Sequence, residues 1–213
     1  MKRFAFGCMV VLALVVSAYA LVAYGALPLG QLVGPEMRAN FQVHRFGIYT
    51  HVFAASIALA LGPFQFSERL RRRFPRLHRT SGRIYLGAGV GLGGLAGLYM
   101  STFAYGGLVS KSGFAALALA WLYSGWRAYR AIRAGNVAEH RRWMTRNFAL
   151  TLAAVTLRIL LPVSAISGIP FALAYPVIAW LSWVPNLLVA EWAVVRKIPA
   201  VRPDLRHEAV ASG

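Results

Sequence analysis

Carboxylates are the scarcest charged groups in this chain, with six Asp and Glu against 23 Lys and Arg in 213 residues. Only Glu191 falls inside a long apolar run. That leaves little for a carboxylate proton relay or a divalent-metal site. The single cysteine, Cys8, excludes a disulfide framework and thiolate metal centres. It sits in the first apolar block and reads as a small core or lipid-facing residue. No phosphate-cradling glycine loop and no hydrolytic signature is present. Strand-like alternation of apolar and polar residues is absent as well, which excludes a transmembrane barrel.

Hydrophobic residues make up 58% of the chain and charged residues only 14%, where a soluble domain carries about a quarter charged. The apolar residues come in blocks close to the ~20 residues a helix needs to cross a bilayer. Six spans are expected, at about 4–27, 45–66, 84–106, 112–133, 144–166 and 171–195, with a polar tail over 196–213. The expected fold is all-α: one polytopic transmembrane helical bundle covering 1–213. The N-terminus imitates a signal peptide, with Lys2, Arg3 and the small-residue ending "SAYA". Its apolar run continues to about Gly30, longer than the roughly 7–15 residues of a signal core, so an uncleaved first helix is expected.

The formal net charge of +17 would ordinarily raise nucleic acid as a partner. Position decides otherwise. With the N-terminus inside, nineteen of the 23 Lys and Arg fall in inner segments and three (Arg38, Arg45 and Lys111) in outer loops, leaving Arg158 within a span. Such asymmetry sets topology and places both termini in the cytoplasm. It accounts for the charge without nucleic acid and gives the inner loops affinity for anionic lipid headgroups.

Two spans have unusual composition. The third carries Gly87/Gly91, Gly89/Gly93 and Gly93/Gly97, each pair four apart. Such faces let a second helix approach closely, or form a flat wall against a planar ligand. The sixth carries Pro176 and Pro185, the latter followed by Asn186. Proline frees a carbonyl inside the span, and paired interrupted helices near the midplane mark transport sites. Pro162 in the fifth span lies too near the outer end to be the matching break.

Five histidines occur. His44 and His51 share one face at the outer end of span two, His207 lies in the tail, and His78 and His140 precede spans three and five at the inner rim. A bis-histidine haem b needs two imidazoles at one depth on different helices. His78 and His140 meet that condition. Arg79, Arg83, Arg141, Arg142 and Arg146 lie near enough to pair with propionates. The alternative is two interfacial histidines among topology-setting arginines. His44 and His51 cannot flank one iron, and an outer haem would need a ligand such as Met100. Arg158 is costly within a span and calls for an interior partner. It lies about a turn below the outer surface. His51 is similarly deep, about 9–10 Å from the start of its span at ~1.5 Å per residue. The two therefore define an expected outer pocket, with Tyr99, Met100 or Tyr105 as further members. A snorkelling arginine is the alternative. Glu191 lies at the opposite end, too far away to pair with Arg158.

"HVFAASIALALGPFQF", "LRRRFPRLHRTSGRIYLGAG" and "HRRWMTRNFALTLAAVTLRILLP", in this order, resemble the bacterial multi-pass membrane family named domain of unknown function 2306, from about His51 to Glu191. The resemblance implies a location in the bacterial cytoplasmic (inner) membrane and no particular activity. It draws attention to His51, Gln65, His78, Arg79, Gly82, Arg83, His140, Trp143, Met144, Arg146 and Arg158. A more distant likeness is to two-haem transmembrane cytochromes b, from which the chain departs by lacking an outer histidine pair. Three functions follow as expectations. The first is a haem b or quinone-linked redox protein acting at His78 and His140. The second is a permease for a small anionic ligand, with its pocket at His51 and Arg158. The third is a non-catalytic lipid-binding bundle.

Overall fold

The computed structural model describes residues 2–31, 33–193 and 197; apart from Lys197, the expected polar tail lies outside them. Among the described residues there are helices and no strands. In chain order the helices are α1 (Lys2–Gly25), α2 (Pro35–Val43), α3 (Arg45–Gln65), α4 (Glu68–Arg73), α5 (Pro75–Ile84), a π-helical segment (Tyr85–Leu92), α6 (Gly93–Ser101), α7 (Gly107–Arg133), α8 (Val137–Thr151), α9 (Ala153–Ile166), α10 (Phe171–Leu181) and α11 (Val184–Ala193).

Five stretches are long and apolar enough to cross a membrane: Phe4–Gly25, Arg45–Gln65, Pro75–Ser101, Val137–Ile166 and Phe171–Trp192. The sixth rod, α7, has 27 residues and so measures about 40 Å at ~1.5 Å per residue. It is antiparallel to both sequence neighbours. Gly125 lies against Val90 and Gly94 against Leu122, while the Asn147 side chain bonds to Trp121 and that of His140 to Ala128. A helix held along its length between two spans runs through the same layer, whatever its own hydropathy. The described residues form an all-α membrane bundle of six helical rods.

The third rod begins nine residues before its apolar run. Pro75 stands at the first helical turn, where its missing N–H costs nothing. The amphipathic α5 then docks on the end of α3 through Gln65 Nε2 donating to Ser81 Oγ at 2.9 Å. His78, Arg79 and Arg83 therefore lie on the rod rather than before it. His140 likewise lies within α8, whose start is capped by Asn136 Oδ1 accepting from the Glu139 amide at 3.0 Å. Gly106 and Gly107 have φ of +87° and +71°, a left-handed pair that only glycine adopts cheaply. They reverse the chain tightly between α6 and α7.

Three rods are interrupted. The π segment widens the third over "YLGAGVGL". There a Cβ on Gly89 would meet Ala58 Cβ at 2.8 Å and its backbone at 3.1 Å, so the glycine face serves close approach to α3. The sixth rod breaks at Ser182–Trp183, ahead of Pro185, which has no N–H for the Leu181 carbonyl. The fifth breaks at Leu152, without a proline. There Thr151 Oγ1 donates back to the Asn147 carbonyl at 2.9 Å, and the Val155 amide takes the Leu152 carbonyl three residues back at 2.9 Å. Hydroxyl back-bonding of this kind bends helices.

Packing partners change across Leu152. Before it, α8 lies centrally against α7, α3 and α11; after it, α9 packs on α1 and α10. Between α9 and its neighbours, at the arginine-poor end, lies a cavity.

Candidate functional site

The cavity measures about 530 Å³, within the ~300–1,000 Å³ range of small-molecule sites. Its walls come from α1, α3, α6, α7, the end of α8, α9 and α10, with α2 contributing Met37, Asn40 and Phe41. Helix α2 is tied down by Asn40 Nδ2 donating to the Phe103 carbonyl at 3.2 Å and Arg38 Nε donating to the Gly30 carbonyl at 3.0 Å. Most of the lining is apolar or aromatic. Tyr105, Phe171, Tyr175 and Phe114 form one ring cluster on it, with centroids 4.9–6.2 Å apart.

His51 and Arg158 both line this cavity, as do Met100 and Tyr105. Tyr99 does not join them and hydrogen-bonds His44 Nδ1 at 2.9 Å instead. The His51 Nδ1–H donates to the Gly93 carbonyl at 2.9 Å. That fixes the tautomer and leaves Nε2 as an acceptor in the neutral ring. The imidazole rests on Gly97, where an added Cβ would come within 2.9 Å of its Cε1 and Nδ1. Gly97 therefore makes room for the histidine, and Gly93 supplies its acceptor.

Arg158 Nη1 donates to the Ala154 carbonyl one turn back at 3.0 Å, and its guanidinium lies 5.9 Å from the Tyr19 ring centre. Among the described residues no carboxylate pairs with it. Glu68, Glu139 and Glu191 all engage arginines at the other end of the bundle. A cation within an apolar cavity, held only by a backbone carbonyl and an aromatic face, keeps most of its guanidinium donors for a ligand.

Beneath the cavity lies a polar network that hydropathy gave no reason to expect. Tyr85 and Asn147 are both 0% exposed. Tyr85 Oη donates to Asn147 Oδ1 at 2.7 Å and lies 3.0 Å from Thr151 Oγ1. Asn147 Nδ2 donates to the Trp121 carbonyl and to Ser124 Oγ, each at 2.8 Å, and Trp121 Nε1 donates to Thr151 Oγ1 at 2.9 Å. Trp121 and Thr151 also line the cavity, so the network fixes its floor. The available signal was the i, i+4 spacing of Asn147 and Thr151 on one helix face. Thr156 and Asn186 form a further polar pair linking α9 to α11, with Asn186 Nδ2 donating at 2.9 Å.

His78 on α5 and His140 on α8 both sit at the arginine-rich end. The His140 Nδ1–H donates to the Ala128 carbonyl at 2.8 Å, whereas His78 Nδ1 is buried without a hydrogen-bond partner. Arg79 and Arg83 are exposed. Arg146, expected beside them, instead grips Glu191 through Nε at 2.8 Å and Nη2 at 3.0 Å. Its guanidinium also stacks on Trp143, which Arg127 approaches as well, at 4.6 and 4.7 Å from the ring centre. Trp143 Nε1 donates to Glu139 Oε1 at 2.6 Å. The basic end is thus knit by arginine–aromatic contacts and short ion pairs.

The family described as a predicted membrane protein, DUF2306, matches residues 48–194. That stretch includes His51, Arg158, the buried network and both histidines of the basic end. No curated protein and no solved structure is detectably similar to the chain.

Proposed function

The chain belongs to the DUF2306 family of predicted membrane proteins, and we propose that it is a carrier that binds a small amphipathic carboxylate in its arginine-poor cavity. The observation that carries this reading is Arg158, a cation in an apolar cavity with no carboxylate partner among the described residues. One guanidinium matches one monoanion, and its planar fork suits a carboxylate. A dianionic phosphate would leave charge uncompensated among apolar walls. His51 Nε2 supplies a second polar contact.

Two interrupted rods, broken at Leu152 and at Ser182–Trp183, flank the cavity and favour a carrier over a static binder. Positive charge concentrated at the opposite end orients the cavity outward from the bacterial cytoplasmic membrane, with both termini inside. The arginine-rich end then meets anionic headgroups on the cytoplasmic face.

The test is thermal unfolding of purified protein with decanoate as probe. A ligand at 100 times its Kd stabilises by about 2.7 kcal/mol. Decanoate should raise the melting temperature of the wild type and not that of Arg158→Gln. A panel of medium-chain carboxylates that leaves the wild-type melt unmoved refutes the reading.

A second reading rests on His78 and His140. Two imidazoles at the same end of the bundle, one with an unpartnered Nδ1, fit haem b ligation in part, although Arg146 is engaged with Glu191 and not free for a propionate. A reduced-minus-oxidised haem spectrum lost in His78→Ala and His140→Ala would support it. A colourless preparation from haem-replete cells rejects it.

A further inference from the structure

Ser182 stands where the sixth rod breaks, between the end of α10 at Leu181 and the start of α11 at Val184. Ser17, Ser81, Ser101, Ser124 and Ser164 each turn their hydroxyl onto a carbonyl of their own helix, at 2.6–3.0 Å. That is how a hydroxyl is normally satisfied in an apolar helix environment. Ser110 and Ser182 do not follow, and of the two only Ser182 lines the cavity. It is 0% exposed, and its Oγ has no hydrogen-bond partner among the described residues. Its own carbonyl accepts from Asn186 Nδ2 at 3.0 Å. The next residue, Trp183, also buries an unpartnered Nε1. Two unused donors are thus adjacent in sequence at one helix break. Ser182 lines the same cavity as Arg158 and His51.

A buried donor without a partner is costly to the fold and persists where something else completes it. We infer that the α10–α11 break is a second polar subsite of the cavity, in which Ser182 Oγ binds an oxygen of the ligand. The ligand is then an oxygenated amphipathic carboxylate, carrying a hydroxyl or carbonyl apart from its charged head, rather than a plain hydrocarbon acid. The inference rests on the carboxylate reading of Arg158 and names the substrate class for that same cavity. Serine hydroxyl both donates and accepts, so it takes either function. Asn186 and Thr156 are bonded to each other and hold the break in place, leaving Ser182 for recognition.

The experiment measures binding of decanoate and a series of its hydroxy- and oxo-substituted forms to the full chain in lipid nanodiscs. Wild type, Ser182→Ala and Arg158→Gln are compared. At least one oxygenated acid should bind the wild type about tenfold more tightly than decanoate, the effect of one buried hydrogen bond. Ser182→Ala should erase that gain, with its circular dichroism and thermal melt read alongside to show that the variant is folded. Decanoate binding that depends on Arg158, with no oxygenated acid gaining, overturns the subsite and leaves the carboxylate reading standing. A gain that survives in Ser182→Ala overturns it too. Absence of any Arg158-dependent binding refutes the carboxylate reading, and the subsite with it.

Discussion

The buried network under the cavity offers a quantitative test of what holds the bundle together. Tyr85→Phe removes the hydroxyl that donates to Asn147 at 2.7 Å and contacts Thr151 at 3.0 Å. Hydrogen bonds between membrane helices average about 0.6 kcal/mol, with a maximum near 1.7. Two such contacts predict a loss of about 1 kcal/mol. Asn147→Ala removes the same bond together with those to the Trp121 carbonyl and to Ser124 Oγ. It also leaves a small void among the π segment, α7 and α8, so a loss of about 2–3 kcal/mol is expected. The two variants share one bond. Their double-mutant cycle should therefore return a coupling of about 0.6–1.7 kcal/mol rather than strict additivity. Equilibrium unfolding in mixed detergent and SDS micelles, followed by tryptophan fluorescence, gives the three free energies needed. A coupling within about 0.3 kcal/mol of zero, the usual scatter for independent sites, would refute the claim that Tyr85 and Asn147 act as one unit. Trp121 and Thr151 belong to both the network and the cavity floor, so Asn147→Ala should weaken decanoate binding as well.

Other perturbations test separate parts of the account. Gly97→Ala places a Cβ 2.9 Å from the His51 ring; it should displace the imidazole from the Gly93 carbonyl and weaken decanoate binding by a larger factor than it lowers stability, read by comparing titrations with melts. Gly62→Ala directs its Cβ into the Phe148 ring and should cost about 1–3 kcal/mol by overpacking, measured by the same unfolding assay; an unchanged midpoint contradicts the packing described. Glu191→Gln breaks a two-pronged pair with Arg146 in which the glutamate is 38% exposed. It should cost only about 1 kcal/mol, and less in high salt. In a Cys8→Ser background, Ser167→Cys should react with an impermeant maleimide added outside intact cells. Ala134→Cys should react only after permeabilisation, and the reverse pattern would invert the proposed orientation.

The sequence determined the class of this molecule. Helical membrane spans follow from the length and apolarity of the runs, because a bilayer core rewards any segment that is long enough and internally hydrogen-bonded. The count of rods and the charge difference between the two ends follow from equally local properties. Arg158 stood out because its transfer cost depends on depth alone. Boundaries set by packing were not legible in the same way. Pro75–Ile84 is too polar to register as part of a span, and only its docking on α3 continues the third rod through His78. Arg146, grouped by sequence with His78 and His140, found Glu191, 45 residues further along. Such pairing depends on which helices become neighbours.

Tertiary structure alone decided the interruption at Leu152, where no proline marks the chain, and the cavity that His51 and Arg158 line together. It alone found the network of Tyr85, Asn147 and Thr151, and it assigned Gly93 and Gly97 to a histidine. The physical reason is common to all of these. Hydropathy and charge are properties each residue carries with it, whereas a cavity, a bend or a satisfied hydroxyl exists only between residues that the fold brings into contact.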